Sequence, residues 1–75
     1  MRHEETGLEN RLKEFRAERG WSQEELAAII GVSRKTINTI ERGRFTPSAV
    51  LALKIAKAFQ CCVEDVFSID GFDRR

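Results

Sequence analysis

The stretch GVSRKTINTIERG, Gly31 to Gly43, decides how this chain of 75 residues is read. Ile37 and Ile40 recur in it at helical spacing, Ser33 stands where an N-cap belongs, and Gly43 stands where a helix stops. Arg34, Lys35, Arg42 and Arg44 surround that short apolar stripe. Those charges either solvate an ordinary surface helix or form a reading face for a polyanion. The flanking sequence separates the two readings.

Upstream, Ser22 precedes Gln23-Glu24-Glu25, a capping-box arrangement in which the hydroxyl and a carboxylate three residues on satisfy free backbone N–H groups. The spacing predicts a helix over 23–30 with Leu26, Ala27 and Ile30 on its inner face. Gly31 suits a chain leaving that helix with positive φ. Two short helices joined at Gly31-Val32-Ser33 have helix-turn-helix geometry. The small Ala27 permits a close crossing, so Leu26, Ala27 and Ile30 meet Val32, Ile37 and Ile40. The helix predicted over 34–42 then turns Arg34, Lys35, Asn38 and Thr39 outward. Arginine and lysine suit guanine O6 and N7, asparagine suits adenine N6 and N7, and threonine offers a hydroxyl and a methyl near thymine.

Elsewhere, Leu8, Leu12 and Phe15 predict a first helix over 8–19, stopped by Gly20 and followed by Trp21 as a core residue. Thr46-Pro47 reads as the start of a fourth helix over 47–59. Its buried arc is expected to hold Ala49, Ala52, Leu53, Ile55, Ala56 and Phe59. A short fifth helix over 63–67 buries Val63, Val66 and Phe67. These elements define an all-α, five-helix domain with a core over 8–67 and a tail over 68–75, in which Asp70-Gly71 either turns a short hairpin or frays.

Composition sets the class. The chain is 41% hydrophobic and 33% charged, as expected of one small globular domain rather than a disordered segment. No apolar run approaches the roughly 18 residues of a membrane span, and the first residues lack a signal-peptide pattern, so a cytoplasmic location is expected. The net charge is +1, but residues 33–48 hold Arg34, Lys35, Arg42 and Arg44 against Glu41 alone. A local surplus of this kind attracts phosphates while the whole chain stays near neutral. The adjacent Cys61 and Cys62 are too few and too close for a disulfide framework or a zinc site. With one histidine, no phosphate cradle and no carboxylate cluster, no enzyme, metal or cofactor is expected.

The run SQEELAAIIGVSRKTINTIERGRFTPSAVLALKIAKAF, Ser22 to Phe59, resembles the helix-turn-helix domains of the phage Cro and C1 repressor type, also called the XRE family. The resemblance covers Leu8 to Phe67 and implies a transcriptional regulator that binds double-stranded DNA, more often a repressor. It implies that Arg34, Lys35, Asn38 and Thr39 face base edges. Gln23 would hold a phosphate and buttress the reading residues, and Arg42, the Gly43 backbone and Arg44 would grip phosphate after the reading helix. Arg16 and Glu41 fall where the family places a semi-buried ion pair, which a guanidinium fork suits well. Cys62 falls at the N-cap of the fifth helix, where a hydroxyl is more usual.

Val50 and Leu51 point away from the arc assigned to the core, which implies a second buried surface, most simply in a homodimer. The resemblance places this end of the domain near a two-fold axis and allows Ile69 and Phe72 of the tail to join it. A homodimer on a two-fold symmetric operator is therefore expected, its half-sites about 34 Å apart. The alternative is a protein-interaction module, an antitoxin or a bridging coactivator, using the same apolar residues.

Overall fold

The computed structural model describes residues 8–69. Five α-helices follow in chain order: α1 Leu12–Arg19, α2 Gln23–Ile30, α3 Arg34–Glu41, α4 Ala49–Phe59 and α5 Val63–Val66. Two short strands, β1 Leu8–Asn10 and β2 Phe67–Ile69, pair antiparallel and tie the two ends of this set together. Leu8 lies opposite Ile69, and Asn10 opposite Phe67.

The sheet corrects the helix predicted from residue 8. Leu8 and Leu12 stand four apart, as on a helix, and Leu8 does pack on the core, but it does so from a strand. Asn10 makes the switch. Its Oδ1 accepts from the Leu12 N–H at 3.1 Å, serving the start of α1, and its Nδ2 donates to the Ile40 carbonyl at 2.9 Å near the end of α3. The Arg11 N–H donates to the Val66 carbonyl at 2.8 Å. Pairing with residues 67–69, far away in sequence, satisfies backbone groups that a longer helix would have satisfied locally. The hairpin considered at Asp70-Gly71 lies outside the described residues, as does Phe72.

The local signals around α2 act as the residues require. The Ser22 hydroxyl accepts from the Glu25 N–H at 3.0 Å, and the Glu25 carboxylate accepts from the Ser22 N–H at 2.7 Å. Gly31 closes α2 at φ 81°, a left-handed conformation that side-chain-bearing residues rarely adopt. Ser33 then caps α3, accepting from the Thr36 N–H at 3.1 Å.

Leu12, Leu26, Ile37, Ile40, Ile55, Phe59 and Val66 are fully buried and form one core, with Phe67 against it. Each such aliphatic side chain contributes about 1.5–3 kcal/mol relative to exposure. Trp21 and Phe15 flank Phe59, with ring centroids 5.5 and 5.3 Å from it. Arg19 stacks over Trp21 and Phe59 and donates to the Phe59 carbonyl, closing the C-terminal end of α4.

In α4 the core arc is rotated from the one the sequence predicts. Ser48, not Thr46, is the cap, its Oγ accepting from the Leu51 N–H at 3.1 Å, and Pro47 precedes it. Ile55, Ala56 and Phe59 are buried as expected, but Ala49 is exposed and Leu53 is 60% exposed. Leu51, expected to point outward, is half-buried against the core instead. Both flanks of this helix are apolar, so periodicity leaves the choice open, and packing of α2 and α5 onto α4 makes it. Helix α5 stops at Val66, because Phe67 takes an extended conformation and begins β2 while its side chain stays buried.

Candidate nucleic-acid interface

Helices α2 and α3 form the most extensive helix–helix contact, and their joint at Gly31 leaves one face of α3 open. With Ile37 and Ile40 sunk into the core, Arg34 and Lys35 are exposed, and Asn38 and Thr39 are half-buried beside them. Arg42 and Arg44 are exposed just beyond the end of α3.

Beneath that face lies a chain of hydrogen bonds. Arg16 on α1 meets Glu41 at the end of α3 through both arms of its fork, Nε to Oε2 at 2.6 Å and Nη2 to Oε1 at 3.2 Å. The two side chains are only 13% and 8% exposed. The remaining arm, Nη1, donates to the Trp21 carbonyl at 2.9 Å. Gln23 Nε2 donates to Glu41 Oε1 at 3.0 Å, and Gln23 Oε1 accepts from Arg34 Nη1 at 3.2 Å. The half-buried amide thus faces one way only: its nitrogen toward the carboxylate, its oxygen toward the guanidinium. Arg34, the first residue of α3, is held through Gln23 to the ion pair that ties α1 to α3.

Two expected contacts look different at atomic detail. The Gly43 N–H donates to the Ile40 carbonyl at 2.9 Å, and those of Arg42 and Arg44 donate to Asn38 and Thr39 at 3.1 and 3.0 Å. These amides close the C-terminal turn of α3, so the Gly43 backbone N–H already has a partner inside the protein. The Thr39 hydroxyl donates to the Lys35 carbonyl at 2.7 Å, so its proton is already committed within α3.

Away from α3, Val50 and Ile69 are exposed, at 62% and 59%. Lys54 and Lys57 share the outer side of α4 with Val50 and Leu53. Cys61 packs against the core and Cys62 is exposed; burial, with Asp65 and Cys62 adding to it, pushes the Cys61 thiol above its ordinary range. Among the described residues no three His, Cys, Asp or Glu side chains gather as a metal site, and no helix is long and apolar enough to cross a membrane.

The periodicity of the sequence missed Asn10, which braces α3 from β1, and the Trp21 carbonyl on Arg16. A helical spacing of three, Ser33-Thr36-Thr39, was the available signal for a further cluster on the open side of α3.

The helix-turn-helix family HTH_3 matches residues 12–65. The chain is 49% identical over 63 residues to the uncharacterized HTH-type transcriptional regulator YgzD of Bacillus subtilis, covering 84% of this chain and 96% of that protein. It is 48% identical over 63 residues to an uncharacterized HTH-type transcriptional regulator of Archaeoglobus fulgidus, covering 84% and 90%. Among solved structures, the restriction-modification controller protein C.AhdI of Aeromonas hydrophila superposes with a TM-score of 0.67 at 37% identity, covering 72% of this chain and 78% of that one. Together with the α2–Gly31–α3 geometry, these matches show that the chain belongs to the HTH_3 family of Cro/C1-type helix-turn-helix regulators, a family of DNA-binding transcription factors and not of enzymes.

Proposed function

We propose that the chain binds a two-fold symmetric operator in double-stranded DNA as a homodimer and represses transcription by occluding the promoter. The observation that carries this reading is the line Arg16–Glu41–Gln23–Arg34, which fixes the first side chain of α3 from below. Orientation of this kind serves recognition of a base edge; a solvated surface arginine has no need of it.

In this reading Arg34 and Lys35 contact guanine edges, Asn38 contacts adenine, and Thr39 brings its methyl to thymine. Gln23 contacts a phosphate at the start of α2, where helix N–H groups favour an anion. The Arg42 and Arg44 side chains contact phosphate beyond α3, and Gly43 contributes the left-handed turn between them, at φ 74°. The two copies meet through Val50, with Leu53 beside it and Leu51 at the margin, and the C-terminal residues Ile69 and Phe72 extend that surface.

Selection from random-sequence duplexes, together with the mass in solution, tests the proposal. A symmetric enriched site and a dimeric mass support it. A monomer without sequence preference sinks it and favours the second reading, an antitoxin or bridging module, for which the exposed Val50 and Leu53 would receive a different protein.

A further inference from the structure

A shallow groove of about 410 Å³ lies between the C-terminal end of α2 and the second half of α4. Ala28, Gly31 and Ala58 are too small to fill it, and a Cβ built on Gly31 would meet nothing within 4 Å. Ile29 borders the space and is 50% exposed. Lys54 and Lys57, both exposed, edge it from α4. None of the residues assigned above to DNA lines this groove. Val50 and Leu53, given to the homodimer, stand nearer the start of α4, with Val50 about 10 Å along the helix axis from Lys57.

An isoleucine half in water on a concave, mostly apolar surface gains free energy from being covered. The lysines decide by what. Three apart on one helix, they lie on the same face. Neither makes an ion pair among the described residues, and no described carboxylate lines the groove. Glu24 and Glu25 precede Ala28 and Ile29 by one turn of α2 without lining it, and Glu25 is committed to the Ser22 cap. The edge is therefore cationic and uncompensated. A small-molecule site encloses most of its ligand, which a groove this open to solvent does not. A helix laid along it covers the apolar floor and brings side chains to the edge at the same time.

We infer that the α2–α4 groove docks an acidic amphipathic segment of a second protein. Its apolar side chains pack on Ile29 and the small residues of the floor, and its carboxylates meet Lys54 and Lys57. The lysine stems add apolar cover while their ammonium groups stay in water, so the charges select the partner more than they hold it. The inference goes beyond operator binding: the groove leaves the outer face of α3 free, and one copy holds duplex and segment together.

The test selects, on the full chain, from a library of short helix-forming peptides with leucines at i and i+4 and acidic, neutral or basic residues beside them. Acidic members should be enriched, and the amide shifts they cause in NMR spectra should centre on residues 28–31 and 54–58. Lys54→Glu combined with Lys57→Glu should weaken the selected peptide at least about tenfold. Exchanging the peptide's carboxylates for lysines should restore binding to that double variant, which a loss of fold could not do. Lys54→Gln with Lys57→Gln should leave the salt slope of DNA binding unchanged, since each lost phosphate contact lowers it by about one unit. No enrichment, enrichment of neutral or basic members, shifts centred elsewhere, or indifference to the charge reversal overturns the proposal. A lower salt slope in the glutamine variant assigns the lysines to phosphate and overturns it too. So does a sedimentation mass that falls toward the monomer in Ile29→Ser, which assigns the groove to a second copy. Failure to select any operator sequence would end the DNA reading and leave this one standing.

Discussion

Helix α3 sinks Ile37 and Ile40 into the core and turns Arg34, Lys35, Asn38 and Thr39 toward solvent, whereas α4 sinks Ile55, Ala56 and Phe59 and exposes Val50, Leu53, Lys54 and Lys57. Their buried faces are chemically alike, and both begin with a serine cap. Their outer faces differ. That of α3 is polar and anchored through Gln23 to a half-buried ion pair; that of α4 carries the large apolar side chains Val50 and Leu53, both more than half exposed. The buried face of a helix sets where it sits, and its outer face sets what it can meet. A polyanion suits the first helix and an apolar protein surface the second.

The largest expected effect tests the anchoring beneath α3. Glu41→Ala strands the Arg16 guanidinium and should lower stability by about 3 kcal/mol, read from a denaturant midpoint. Val50→Ser, on the outer face of α4, should stay within about 0.5 kcal/mol. Comparable losses for the two would erase the distinction between the faces.

Next in size is recognition. Arg34→Ala should cost roughly 1–3 kcal/mol at one base pair and little at the others. Arg44→Ala should weaken binding to all sequences alike and reduce the salt slope by about one unit. Band shifts at several salt concentrations read both, and a uniform effect of Arg34→Ala would contradict its reading role.

A smaller effect concerns α4. Leu53→Asp should shift the sedimentation mass toward the monomer and weaken binding to a full operator at least about tenfold, leaving a single half-site nearly unchanged. An unchanged dimer mass would move the interface elsewhere. The smallest effect separates the two candidate starts of α4. Ser48→Ala should lose about 1 kcal/mol, with Thr46→Ala close to neutral. The reverse order in thermal melts would return the cap to Thr46.

Much of the fold was legible because its signals are short-range. The Ser22–Glu25 capping box, the left-handed Gly31 and the Ser33 cap each depend on residues within three or four positions. The stripe Ile37-Ile40 and the outward set beginning at Arg34 follow from the helical period. The opening strand was not legible, since Leu8-Leu12 fits a helix and its true partners are residues 67–69. Nor was the position of Leu51 and Leu53, because both flanks of α4 are apolar. In the site, the residues of the open face could be read from α3 itself, but the closed partner of the Gly43 N–H and the inward-turned Thr39 hydroxyl could not.

By itself, then, the sequence determined that five helices form, where α2 and α3 begin, and that Gly31 joins them, because caps, left-handed glycines and periodic stripes act between near neighbours. Only the tertiary structure decided that Gln23 stands between Glu41 and Arg34 and that Asn10 braces α3 from a strand. Those relations depend on how separate elements pack, and hydrogen-bond geometry and close packing select among arrangements that local preference leaves equivalent.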